Sequence, residues 1–119
     1  MIVTEGGKNI YPEDVETYFD DLAVKEYCVF AVNYVWKQQS LLNEQLMIVL
    51  HPQPGTELSA AIIEDVRIRN RRMADFKRVR AYVVWDEDFP RTASLKIKRG
   101  VLAEQLANRL ERDQALHFV

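Results

Sequence analysis

A single cysteine, Cys28, stands among the 119 residues. One thiol excludes an internal disulfide framework and suits a reducing compartment, so a cytoplasmic protein is expected. Glycine and proline number only four each, which excludes collagen-like and low-complexity readings. No apolar run approaches the roughly 18 residues that a membrane-spanning helix needs, so no transmembrane segment is expected. No basic-then-apolar leader opens the sequence either. Neither sign of charge dominates: 16 Lys and Arg against 18 Asp and Glu leave a net charge of −2. That balance gives no global pull toward nucleic acid or an anionic membrane, and no nucleic-acid partner is expected. The two histidines, His51 and His117, lie far apart and lack metal-ligand spacing, so no metal site is expected.

What is present is a globular mixture, 48% hydrophobic and 29% charged. It reads as one domain over residues 1–119, long enough to close one hydrophobic core. A chain this short rarely holds a nucleotide pocket, a substrate pocket and a catalytic apparatus together.

Residues 1–4 read as a short strand, followed by a turn carrying Gly6, Gly7 and Asn9. Tyr11-Pro12-Glu13-Asp14 is a helix start, because Pro suits the first turn and acidic residues favour the positive end of the dipole. Val15, Tyr18, Phe19 and Leu22 then follow helical spacing for one buried stripe. Residues 27–36 (YCVFAVNYVW) form a continuous β-branched and aromatic run, read as a strand covered on both faces. Residues 45–50 (QLMIVL) read as its antiparallel partner, and residues 51–55 (HPQPG) as a break. A helix is expected over 57–71, with Thr56 as N-cap and Leu58, Ile62 and Val66 inward. A third strand over 81–85, a loop over 86–94 and a last helix over 98–112, with Leu102, Leu106 and Leu110 on one stripe, complete the chain.

The order β-α-β-β-α-β-α predicts an α+β fold: a small, mainly antiparallel three-stranded sheet flanked by helices. The split βαββαβ order also fits a ferredoxin-like arrangement, so topology alone says little about function.

Three features invite a chemical reading. Cys28 sits in the most apolar strand, where a small buried hydrophobe is a simpler account than a nucleophile. Arg67, Arg69, Arg71, Arg72, Lys77, Arg78 and Arg80 form a basic stretch broken only by Asp75. It reads as phosphate contact, to RNA or a phosphorylated small molecule, or as a solvated helix end whose cations offset the dipole. Its single aromatic residue, Phe76, does not make the repeated aromatic interleaving of a base-stacking platform. Finally, Lys96, Lys98 and Arg99 crowd one loop, as an anion site or as an exposed basic turn.

Residues 5–16, EGGKNIYPEDVE, resemble the glycine-loop-and-helix motif that follows the hinge in adenylate-forming enzymes. That pattern is a glycine pair or Ser-Gly, a short polar stretch, Ile/Val-x-Pro and then Glu-Val/Ile-Glu. Residues 89–99, FPRTASLKIKR, are similar to the closing motif of the same enzymes, Pro-Arg-Thr-x-x-Gly-Lys-Ile-x-Arg, and Pro90, Arg91, Thr92 and Arg99 match it. With the valine-rich strands between them, the two motifs stand in the right order and at a fitting separation. The likeness covers essentially the whole chain. Within the superfamily, GGKNIYPEDVE looks most like a long-chain fatty-acid–CoA ligase.

The resemblance implies the fold of the mobile C-terminal domain, with a short N-terminal β-hairpin, and a large N-terminal domain as its partner. It implies ATP with Mg, bound mainly by that absent domain, and coenzyme A and a fatty acid or other carboxylate as substrates. Lys96 would be the catalytic lysine of adenylation. Gly6, Gly7 and Lys8 would line the pantetheine channel, where a missing Cβ lets the thiol arm pass. Arg67, Arg69, Arg71 and Arg72 are possible contacts for coenzyme A phosphates, although no motif fixes them. One position departs from the pattern: Leu95 stands where the family has Gly. If the backbone there has positive φ, Leu costs roughly 1–2 kcal/mol. The alternative is a stand-alone module, related to this domain, that acts on a partner ligase or carrier protein.

Overall fold

The computed structural model describes residues 2–3, 9–37 and 45–119. Two short strands, β1 (Ile2–Val3) and β2 (Asn9–Ile10), pair antiparallel as the expected N-terminal hairpin. Helix α1 (Pro12–Glu16) follows with Pro in its first turn and tightens into a 3₁₀ turn over Thr17–Phe19. The change from 3.6 to three residues per turn corrects the expected stripe. Val15, Phe19 and Leu22 are buried, but Tyr18 is left exposed.

Strand β3 (Glu26–Ala31) pairs antiparallel with β4 (Leu46–His51), from Glu26 opposite His51 to Ala31 opposite Leu46. The apolar run expected to stay extended to Trp36 leaves the sheet after Ala31. Pairing with β4 ends there, and Val32–Val35 closes a helical turn, α2, with Trp36 N–H donating to the Val32 carbonyl at 3.0 Å. That turn satisfies backbone groups that have no ladder left to join. It also returns Val32 and Val35 to the core.

Helix α3 (Ala60–Asn70) starts later than expected because Ser59, not Thr56, is its N-cap: Ser59 Oγ accepts from Ile62 N–H at 3.3 Å. Thr56 instead donates its hydroxyl to the Gln53 carbonyl at 2.5 Å. The shift buries Ile63, Val66 and Asn70 and leaves Leu58 and Ile62 at the rim. Asn70 mimics a strand: its Nδ2 donates to the Val79 carbonyl at 2.9 Å and its Oδ1 accepts from Val79 N–H at 3.0 Å. Strand β5 (Val79–Val84) begins at that clasp. Because α3 carries the chain back across the sheet, β5 pairs parallel to β4.

Helix α4 (Arg99–Arg109), a short α5 (Arg112–Ala115) and strand β6 (His117–Phe118) end the chain, and β6 pairs antiparallel with β5. The sheet therefore has four strands in the order β3-β4-β5-β6, one more than expected, with a parallel central pair. The α+β class with flanking helices stands. The ferredoxin-like arrangement does not, since β1 pairs in its own hairpin rather than in this sheet.

Both faces are covered, which is why β4 is buried at every residue. On one face Val29, Ile48 and Leu50 pack with Phe19, Val66 and Met73. On the other, Cys28, Phe30, Met47 and Val83 pack with Leu102 and Leu106. The loop between β5 and α4 emerges at this second face, and the basic stretch of α3 belongs to the first.

Candidate functional site

Residues 89–99 fold into a tight, doubly anchored loop. An antiparallel bridge joins Arg91 to Ile97, and Lys98 N–H donates to the Pro90 carbonyl at 2.8 Å. Inside it, Thr92 N–H donates to the Lys96 carbonyl at 2.8 Å and Leu95 N–H to the Thr92 carbonyl at 2.9 Å. Thr92 Oγ1 accepts from Lys96 N–H at 3.2 Å. Lys96 therefore sits on the last arm of a closed turn, with an exposed side chain. Among the described residues, no hydrogen bond or ion pair engages its ammonium group.

The turn requires a left-handed residue, and Leu95 supplies it with φ 69°. Its side chain is 73% exposed, so packing does not offset the strain. Leu95→Gly is expected to raise the stability of the chain by about 0.5–1 kcal/mol: relief of the left-handed cost exceeds the entropy cost of glycine. An unchanged or lower urea midpoint would count against a strained turn.

The loop's entry is fixed by Glu26, at the start of β3. Its Oε2 accepts from Phe89 N–H at 2.7 Å, and its Oε1 accepts from Arg91 Nε at 2.9 Å. Arg91 then donates its other arm to the Leu95 carbonyl at 2.6 Å. Beside this pair, Asp88 takes a hydrogen bond from Lys25 Nζ at 2.5 Å and lies 3.2 Å from His51 Nε2. The bond from Lys25 foremost, then that from His51, holds the Asp88 carboxyl below its ordinary value. The other ring nitrogen of buried His51 faces the Trp85 carbonyl at 2.9 Å.

The loop's exit is fixed by Arg99. Its guanidinium pairs with Glu16 at 2.5 Å and Glu13 at 3.2 Å, and donates to the Val29 carbonyl at 2.9 Å. It also lies over the Phe30 ring, 5.8 Å from the centroid. Glu16 in turn accepts from Val29 N–H at 2.6 Å. Cys28 lies beside this cluster, fully buried. Burial first, then the Glu16 carboxylate, pushes its thiol far above the ordinary value, so it is an inert core side chain.

The structure thus gathers Pro90, Arg91, Thr92, Lys96 and Arg99 into one unit. The arginines in and just after α3 behave differently. Arg67 and Arg71 both face Glu64, at 3.3 and 3.9 Å. Arg69 pairs with Asp65 at 3.0 Å and also donates to the Tyr18 and Asp20 carbonyls, tying α3 to the turn after α1. Only Arg72 of the four has no ion pair among the described residues. Gly6, Gly7 and Lys8 lie outside the described residues.

Glu26, His51, Asp88 and Lys25 carry the loop's entry; no sequence pattern singled out Glu26, Asp88 or Lys25, and His51 was weighed only as a metal ligand. Glu26 and Arg91 stand 65 positions apart, and no spacing rule connects them. Glu26, His51 and Asp88 present ligand atoms within 4.8 Å of one another. Those atoms already serve Phe89, Arg91, Trp85 and Lys25. With an imidazole among them, they do not match the all-oxygen shell that Mg prefers.

The architecture is that of the C-terminal domain of acyl-CoA synthetases. No family model matches the chain. Over 107 residues it is 35% identical to the 4-chlorobenzoate–CoA ligase of Pseudomonas sp. (strain CBS-3), a match covering 89% of this chain and 19% of the ligase. Among solved structures, the Mycobacterium tuberculosis fatty acyl CoA synthetase superposes with a TM-score of 0.63 at 23% identity, over 93% of this chain and 20% of that one. The Bacillus subtilis O-succinylbenzoate coenzyme A synthetase in complex with AMP gives a TM-score of 0.51 at 28% identity, over 89% of this chain and 18% of that one. The chain therefore spans about one fifth of the length of these relatives. No described helix is long and apolar enough to cross a membrane.

Proposed function

We propose that this chain is the C-terminal domain of an AMP-forming CoA ligase and that Lys96 is its adenylation lysine. The observation that carries the reading is the loop itself: two Arg–Glu anchors hold a tight turn, and the turn closed between Arg91 and Ile97 presents the exposed ammonium group of Lys96, unpaired among the described residues; Lys98, exposed and likewise without an ion pair there, stands just outside that bridge. A free cation on a rigid arm is suited to meet anions supplied by another surface. In the first step a carboxylate oxygen attacks the α-phosphorus of ATP and pyrophosphate leaves. Two anions must approach while charge builds on the phosphoryl oxygens, and a fixed cation favours that state. In the second step the thiol of coenzyme A attacks the acyl carbonyl and AMP leaves. There the Gly6-Gly7 turn, with Lys8, would line the pantetheine channel, and Arg72, which has no ion pair among the described residues, would be the arginine of the 67–72 stretch free to meet a phosphate. ATP and its Mg would be held by a larger N-terminal domain.

The acid remains a finer matter. The GGKNIYPEDVE motif supports a fatty acid, whereas the named relatives act on 4-chlorobenzoate, fatty acyl and O-succinylbenzoate groups. The acid pocket would lie in the larger domain.

The purified 119-residue chain, given ATP, coenzyme A and a fatty acid, is expected to release no pyrophosphate and form no acyl-CoA. The same chain joined to its nucleotide-binding domain is expected to do both. Turnover by the chain alone would overturn the half-site reading.

A further inference from the structure

The arrangement of Glu26 goes beyond the role of Lys96 and rests on it. We infer that Glu26 is the positioning residue for the adenylation lysine, acting through Arg91. Its side chain is only 11% exposed, yet it carries a carboxylate. A charge that deep needs partners, and here every partner belongs to the Lys96 loop. One oxygen takes Phe89 N–H at 2.7 Å, at the start of the 89–99 loop. The other takes Arg91 Nε and Nη2 at 2.9 and 2.8 Å.

Arg91 then passes the constraint forward. Its remaining arm holds the carbonyl of Leu95, the residue with left-handed backbone immediately before Lys96. The link from rigid strand to reactive side chain is thus Glu26, Arg91, Leu95 carbonyl, Lys96. The fork of the guanidinium is essential, because it reaches both acceptors at once; an ammonium group would have no fixed geometry for this. Glu26 touches no reacting atom. Its part is to reduce the freedom of the turn, and small displacements of a catalytic group can cost about 10²-fold in rate.

The test is made in the intact ligase, with the two half-reactions followed separately and Lys96→Ala run alongside. Glu26→Gln puts an amide N–H₂ against one of two donors. It is expected to lower kcat for adenylate formation about tenfold, with KM for the carboxylate and ATP unchanged within about twofold. Thioester formation from a preformed acyl-adenylate is expected to stay within about twofold, since it does not use Lys96. Arg91→Lys is expected to reproduce this split, and the double variant to be no worse than the more impaired single. Equal loss in both half-reactions, or additive effects in the double variant, would mean a merely structural pair and overturn the positioning role. Normal adenylation by Glu26→Gln beside an inactive Lys96→Ala would also overturn it, and would leave Lys96 standing. Normal adenylation by Lys96→Ala would instead remove the reading on which it rests.

Discussion

Lys96→Ala in the intact ligase is expected to lower adenylate formation by about 10²–10³-fold or more. Thioester formation from a preformed acyl-adenylate should be spared. The size of the expected loss separates chemistry from stability. Exposed side chains such as Lys96 contribute within about ±0.5 kcal/mol to folding when changed. A hundredfold loss corresponds to about 2.7 kcal/mol of transition-state stabilisation. A solvated lysine has no structural reason to cost that much. The asymmetry between half-reactions is equally specific, because only the first step brings a carboxylate against a triphosphate. Equal impairment of both steps would sink the assignment of Lys96.

The loop explains why one lysine can carry such an effect. A free lysine has several rotatable bonds, and ordering it costs up to about 2 kcal/mol. Here the backbone at residues 91–98 is already closed by hydrogen bonds, and both ends are pinned by arginines. In the proposed role, only the side chain would remain to be ordered as the anions met it. Leu95 is the weak point of this design. A left-handed leucine stores strain one residue from Lys96, and its carbonyl is the one that Arg91 holds.

Much of this was legible in the residues. The apolar run within residues 45–50 (QLMIVL) announced a buried strand paired antiparallel with the one before it, and β4 is buried throughout. Tyr11-Pro12 marked the helix start, and the Leu95 departure pointed to the one non-glycine strain in the loop. What was hidden shares a physical cause. The end of β3 was set by where its partner stops, not by propensity. The cap of α3 depended on competition between Ser59 and Thr56, which local pattern does not rank. The basic stretch over residues 67–80 looked like one patch, but Glu64, Asp65 and Asp75 neutralise much of it in three dimensions. The carboxylates that brace Lys96 lie on α1 and β3, and only folding brings them to the loop.

Arg99→Met is expected to destabilise the isolated chain by about 3–5 kcal/mol, read as a lowered urea midpoint. The reason lies in what is left behind. Glu16 is 16% exposed at its side chain and Arg99 23%, so the pair is largely out of water. Removing the guanidinium strands a buried carboxylate and leaves the Val29 carbonyl without its side-chain donor. The Val29 N–H bond to Glu16 survives but does not neutralise it. Against a typical total of about 5–15 kcal/mol, that loss takes a large share of the stability. Two comparisons isolate the cause. Arg80→Met breaks a pair with Asp75, whose side chain is 78% exposed, and should cost under about 1 kcal/mol. Adding Glu16→Gln to Arg99→Met removes the stranded charge and should recover part of the loss, since partners in contact are not additive. A single-variant cost below about 1 kcal/mol, or no recovery in the double variant, would show that the exit of the Lys96 loop is held by packing on Phe30 rather than by charge.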